Sequence, residues 1–302
     1  MVTDYDFSLV PGADSWKRVG DTHPVDLYYG KDQKGRYAIE FTGHFDVNRK
    51  VHSSAAIEIV HYKFKGNKSI VFSLLDKKLI RPFCDFLNMM IEATAKSSFS
   101  NQEAYQAVCE VYFVMQKMFR ANDNTLSEAE IKGLIGELNF LRSLITEIGE
   151  SKAIGAWSGA EKTRKDFALN HTWFEVKTID YGKDTVHISS IEQLDSPIEG
   201  ELIVFQVERM SEEYKGITLN KLVKNILNSI QSIRERDVFI SKLEAANYSY
   251  NPKYDEFVYE LRATDEYRVT SAFPRISRSN ISPAIAKASF DLTLSEILTY
   301  KK

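Results

Sequence analysis

The sequence is poor in cysteine, in long apolar runs and in net charge, and each shortage excludes something. Only two cysteines occur in 302 residues, Cys84 in RPFCDF and Cys109 in QAVCE, with no CxxC or Cys/His spacing around them. The absence of such spacing excludes a cysteine-held zinc site, and two buried, reduced thiols are expected. No window approaches the roughly 20 apolar residues that a membrane span requires. The opening MVTDYDFSLVPGADSW carries acids and no apolar signal core. A soluble, cytoplasmic chain with no membrane partner is expected. Thirty-nine Lys+Arg against 42 Asp+Glu give a formal charge of −3, which argues against holding nucleic acid by bulk positive charge and leaves only a local basic groove. There is no repeat or low-complexity block. The 43% hydrophobic, 12% aromatic and 27% charged positions exclude disorder, collagen and coiled coil, and the length suits one large domain or two smaller ones.

What is present begins as strands. VDLYYGKDQKGRYAIEFTG holds two β-rich runs around a polar turn, and AAIEIVHYKFKGNKSIVFSLL repeats that plan around Lys65-Gly66-Asn67-Lys68. Two hairpins in a small antiparallel sheet are expected. Then LIRPFCDFLNMMIEAT and QEAYQAVCEVYFVMQKMF carry helical periodicity, enough to cover one sheet face. The polar run Ala121 to Thr125 is the expected boundary between an N-terminal α+β domain, 1–125, and a second domain, 126–302. Lys+Arg to Asp+Glu is 16 to 15 before Leu126 and 23 to 27 from there on, so charge does not say which domain would face DNA.

Ser127-Glu128-Ala129-Glu130 is a capping box that opens a helix to about Gly149. Ile131, Leu134, Ile135, Leu138, Leu141, Ile145 and Ile148 form its apolar stripe, with Glu137 at the border. Downstream, DFAL and TWFEVKT flank Asn170-His171, and TVHISS follows a polar turn. GELIVFQVERM reads as a buried strand, LNKLVKNILNSI as a helix, and YDEFVYELRA with EYRVTSAF as a late β pair. This order implies an α/β fold with helices packed on a central sheet.

If Asn170-His171 is a two-residue hairpin loop, Leu169 opposes Thr172 and Asp166 opposes Glu175. Facing like charges destabilise a sheet unless something positive lies between them, and a divalent cation suits two carboxylates. Strand alternation puts Trp173, Glu175 and Lys177 on one face. Lys177 then stands beside the acidic pair, placed to orient and help deprotonate an attacking water or to stabilise charge on a phosphate oxygen.

Glu137, Asp166 and Glu175-Val176-Lys177 resemble the PD-(D/E)XK signature of the restriction-endonuclease-like superfamily. The longer strings GLIGELNFL, AWSGAEKTRKDFALNHTWFEVKT and VHISSIEQLD resemble a bacterial PD-(D/E)XK family, DUF4420, usually found among restriction and phage-defence genes. The match is strong over residues 126–195 and loose elsewhere. The resemblance implies a restriction-endonuclease-like core, a central mixed sheet flanked by helices, that cleaves DNA with Mg2+, or Mn2+ as substitute, leaving 5′-phosphate and 3′-hydroxyl ends. It implies Asp166 and Glu175 as metal ligands, the Val176 carbonyl as a third, Lys177 as the catalytic lysine, Glu137 binding metal directly or through water, and Gln193 helping to fix the site. It further implies double-stranded DNA as substrate, a homodimer able to cut a duplex through symmetric subunits, and a defence-system partner such as an ATPase or methyltransferase. One departure stands out, since the proline expected before the aspartate is Lys165.

Several residues admit a plainer reading. Gln193 suits a local cap as well as a site role. His171 is a turn residue, and His187 a core or surface histidine in preference to a catalytic one. Lys162, Arg164 and Lys165 lie either in a solvated loop or where a DNA backbone approaches. Arg275 and Arg278 are candidates for phosphate contact, whereas Tyr248, Tyr250 and Tyr254 suit core packing better than base stacking. Two rivals to a DNA nuclease stay open: a non-catalytic DNA- or partner-binding subunit of a defence complex, and a nuclease acting on RNA.

Overall fold

The computed structural model describes residues 7, 10–48, 51–64, 66–119, 125–158 and 165–302. It divides into two compact units, residues 1–122 and 123–302. Of the expected boundary run, residues 121–124 lie outside the described residues.

In the first unit, β1 (Ser15–Arg18), β2 (Asp26–Lys31), β3 (Tyr37–Gly43), β4 (Ile57–Phe64) and β5 (Asn67–Leu74) form one antiparallel sheet in the order β1-β2-β3-β5-β4. The two expected hairpins are therefore β2–β3 and β4–β5. They join where Ile39 faces Phe72 and Phe41 faces Ile70, four side chains with no exposed surface. The edge strand β1 had no counterpart in the sequence reading. Two helices follow, α1 (Ile80–Ala93) and α2 (Asn101–Met115), the second opened by a Ser100/Glu103 capping box. Phe72 meets Phe86 of α1 edge-on at 5.3 Å, and Phe45 stacks on Tyr105 of α2 at 4.3 Å. Fully buried aromatics of this kind contribute roughly 2–3 kcal/mol each from area alone, and they bind helices to sheet.

The second unit opens with α3 (Glu128–Ile148), capped by Ser127 and Glu130 as its sequence requires, and stopped by Gly149 at φ 84°. A short α4 (Glu150–Ala156) follows, then β6 (Phe167–Ala168), β7 (Trp173–Asp180), β8 (Thr185–Ile188) and β9 (Gly200–Met210). Next come α5 (Leu219–Ser229), α6 (Ile233–Ala245), β10 (Val258–Val269) and β11 (Phe290–Thr293). The main sheet runs β10-β9-β7-β6, with β7 and β9 parallel and the outer pairs antiparallel. Mixed sheet and helices together give the α/β class, compatible with a restriction-endonuclease-like core. On one face α3 sets Phe140 4.9 Å from the rings of both Phe167 and Phe174. On the other, Trp173, Ile179, Leu202, Val204 and Tyr267 share a core with Ile188, Leu194, Leu292 and Ile297.

Two strands of the second unit are arranged otherwise than the sequence suggests. The late β pair is one twelve-residue strand, β10, whose register shifts between Leu261 and Ala263. A bulge accommodates the extra residue without ending the strand. Asp265, in the gap between the two strings, accepts Gln206 Nε2 at 2.9 Å and pairs with Lys301 at 2.6 Å. The strand β8 joins no neighbour in the main sheet; it pairs with β11, about a hundred residues away. Among the described residues no helix is long and apolar enough to cross a membrane.

Candidate active site

The β6–β7 hairpin fixes the site's geometry. Phe167 pairs with Phe174 and Ala168 with Trp173, and the Leu169 amide donates to the Thr172 carbonyl at 2.9 Å around the Asn170-His171 turn. One step further along this register Asp166 falls opposite Glu175. Asp166 Oδ2 accepts the Val176 amide at 2.7 Å, which turns its carboxylate across the hairpin toward β7. Glu175 is 1% exposed. Lys177 Nζ lies 2.8 Å from its Oε1, an ion contact outside hydrogen-bond geometry, and neither Glu175 oxygen receives a hydrogen bond among the described residues.

Glu137 reaches this pair from α3. Near its middle α3 approaches β7 closely because Gly136 has no side chain: a Cβ there would stand 1.9 Å from Thr178 Oγ1. Trp157, fully buried, donates its Nε1–H to Glu137 Oε2 at 2.8 Å. Trp157 is itself held by α6. Its ring lies 5.9 Å from Phe239, and Lys242 Nζ donates to the carbonyls of Ile154 at 2.9 Å and of Trp157 at the end of α4. At the other end of α4, Glu150 accepts the amides of Gln231 at 2.7 Å and Ser232 at 3.0 Å, just ahead of α6. The sequence reading lacked both α6 and the Trp157–Glu137 bond. The AWSG string held the tryptophan, but nothing in its spacing named a partner.

The Asp166 carboxyl opposes the ionisation of both glutamates near it. Burial first, and then the Asp166 charge, push Glu175 up to about 8 against the opposing pull of Lys177. The same two causes push Glu137 up to about 8, with the Trp157 donor and Lys177 acting the other way. Burial raises Asp166 as well, opposed by Lys177, the Val176 amide and Lys165. A divalent cation would reverse this repulsion, and hard carboxylate oxygens are the donors that Mg2+ and Mn2+ take. Among the described residues no three His, Cys, Asp or Glu side chains are already gathered as a ligand set. The chemistry of the pair nonetheless fits a cation, because Glu175 keeps two buried oxygens without donors.

The remaining candidates are placed differently. Gln193, in the 3-10 turn Ile191–Gln193, spends its Oε1 on the Ser189 amide at 2.8 Å and the Ser189 hydroxyl at 3.0 Å, the local cap. Lys165 does not reach outward to a phosphate: its Nζ donates to the carbonyls of Glu192 at 2.9 Å and Gln193 at 2.7 Å and lies 3.6 Å from the Trp173 ring centroid. Burial lowers its ammonium to about 8. Arg275 Nη1 donates to the Leu194 carbonyl at 3.0 Å. Arg278 pairs with Glu192 at 2.7 Å and donates to the carbonyls of Ile285 and Ala286. Lys162 and Arg164 lie outside the described residues. His187 is exposed and bonds Asp291 at 2.7 Å. Tyr248 and Tyr254 are buried, and the Tyr254 hydroxyl accepts the Leu126 amide at 2.9 Å.

A helical glutamate, an aspartate on a hairpin and a Glu-x-Lys strand on a mixed sheet define a PD-(D/E)XK-type protein. The chain belongs to the family described as "Putative PD-(D/E)XK family member, (DUF4420)", whose model matches residues 11–295. This membership points to nuclease-type chemistry. No curated protein and no solved structure matches the chain.

Proposed function

We propose that the chain is a Mg2+-dependent endonuclease that hydrolyses DNA phosphodiester bonds in a bacterial restriction or phage-defence system. One observation carries the reading. Glu175 is buried opposite Asp166 with no hydrogen-bond donor on either oxygen and the Lys177 ammonium at 2.8 Å as its counter-charge, so ionising both carboxyls in the interior is costly unless a further cation offsets it. Asp166 and Glu175 would hold the cation, Mg2+ or Mn2+, with Glu137 and the Val176 carbonyl completing the set. When bound, it supplies Lewis-acid stabilisation of the phosphate and a lowered pKa for the attacking water. Lys177, beside the acidic pair, would orient that water and stabilise the phosphate oxygen on which charge develops. Trp157 holds Glu137 in place through its N–H. Cleavage of both strands by a homodimer, and work alongside an ATPase or methyltransferase, belong to the same proposal.

The test is cleavage of supercoiled and linear DNA, methylated and unmethylated, by wild type and Lys177→Met, with Mg2+, Mn2+ or EDTA and with RNA as competitor. Metal-dependent cutting of DNA, lost in the variant and indifferent to RNA, is the expected result. A wild type that cuts nothing under any of these conditions would favour the non-catalytic subunit instead, and preferential loss of RNA would favour a ribonuclease.

A further inference from the structure

The cation beside the motif aspartate is tied down in a way that the nuclease reading does not use. Lys165 stands one residue before Asp166, where the motif ordinarily has proline. A proline ring restricts the backbone locally; lysine gives no such restriction. Its far end, however, is anchored. Lys165 Nζ donates to two successive carbonyls, Glu192 and Gln193, at 2.9 and 2.7 Å, and it sits over the Trp173 ring, centroid 3.6 Å away. The next carbonyl, Leu194, is taken by Arg275, and the Glu192 carboxylate by Arg278. The Asp195 carboxylate accepts the Arg278 amide at 3.1 Å. Three cations thus close on residues 192–195, and Lys165 ties that turn to the Trp173 face of the acidic hairpin.

We propose that Lys165 is a positioning residue: by bridging the 192–193 carbonyls to the Trp173 face, it fixes the approach of Asp166 to Glu175. Two charge-assisted hydrogen bonds and a cation–π contact, all partly shielded from water, are strong enough to hold a short turn. The activity arm of the test rests on the nuclease reading, and the structural arm does not.

The experiment compares wild type, Lys165→Met and Lys165→Arg by hydrogen exchange of the 189–195 amides, by calorimetric Mn2+ titration, and by kcat and KM for DNA. Lys165→Met keeps a stem of similar length over Trp173 and removes the donors; should it fail to fold, Lys165→Gln takes its place. The expected result is exchange in the turn about tenfold faster or more, the loss of roughly two tethering bonds. Mn2+ binding weakens severalfold, and kcat falls with KM little changed, since misplacement of a reacting group is a chemical-step effect. Lys165→Arg restores most of each. Unchanged exchange in the donor-free variant overturns the proposal. So does faster exchange with unaltered Mn2+ affinity, and so does a raised KM whose salt dependence is shallower by about one charge, the mark of a phosphate contact. If the tether and Mn2+ results hold while wild type cuts no DNA, the nuclease reading fails and the positioning role stands.

Discussion

Lys177 reaches back along one face of β7 to set its Nζ 2.8 Å from Oε1 of Glu175, two residues earlier in the strand. The contact follows from the strand period of two, and it gives the buried Glu175 its nearest positive charge. It does not neutralise the whole site, because burial and the Asp166 charge together raise the proton affinity of both Glu137 and Glu175.

Stability without metal should therefore fall as pH rises. Glu137 and Glu175 hold their protons in the folded chain up to about 8, whereas in the unfolded chain they release them near the ordinary glutamate value. Between those limits the folded state binds more protons than the unfolded state, so unfolding free energy decreases with pH across that window and levels above it. Urea unfolding in EDTA at pH 5.5, 7 and 8.5 measures this, and a flat profile would remove the three-carboxyl repulsion.

Replacing Glu175 by Gln should stabilise the metal-free protein at pH 8.5 by roughly 1–3 kcal/mol, since a neutral isostere relieves a buried charge. The same variant should lose cleavage. Unfolding midpoints in EDTA, with activity read in parallel, separate the two effects. Destabilisation by Glu175→Gln would mean that Lys177 alone satisfies the carboxylate.

Metal binding should release protons. At pH 7 both raised glutamates are largely protonated, so titrating Mg2+ or Mn2+ into the protein in buffers of different ionisation enthalpy should report about one to two protons released per cation. The number should shrink above pH 8. Equal heats in all buffers at pH 7 would contradict the raised carboxyls.

Gly136→Ala should move the helix that carries Glu137. The added methyl meets Thr178 Oγ1 and lies 3.5 Å from the Phe205 ring, so overpacking of roughly 1–3 kcal/mol outweighs the helix-propensity gain of about 1 kcal/mol. Thr178→Ala in the same chain should recover most of the loss, because Thr178 Oγ1 has no hydrogen-bond partner to forfeit among the described residues. A double-mutant cycle on unfolding free energy checks the coupling.

Parts of this were open to reading before any coordinates. The Asn170-His171 turn with alternating strands leaves one register, and that register places Asp166 opposite Glu175. Ser127 and Glu130 mark the start of α3 through capping chemistry that is local in sequence. What stayed hidden depends on partners far along the chain. Trp157, which donates to Glu137, sits at the end of an α4 whose last carbonyls are taken by Lys242, 85 residues on. Lys165 reads as a surface cation until the 192–193 carbonyls stand beside it. The bulge after Leu261 hides a single strand, since Thr264-Asp265 looks like a turn unless Gln206 and Lys301 are known to receive the aspartate. The pairing of β8 with β11 has no local signal at all.

The account stands on the carboxylate pair of Asp166 and Glu175 as a cation site, and calorimetric titration of Mg2+ and Mn2+ into wild type and Asp166→Asn at pH 7.5 tests it most directly. A saturable binding event in wild type that is lost, or weakened by at least about tenfold, in a variant that unfolds as cooperatively is the predicted result. Absence of binding by wild type, or equal binding by the variant, would contradict it.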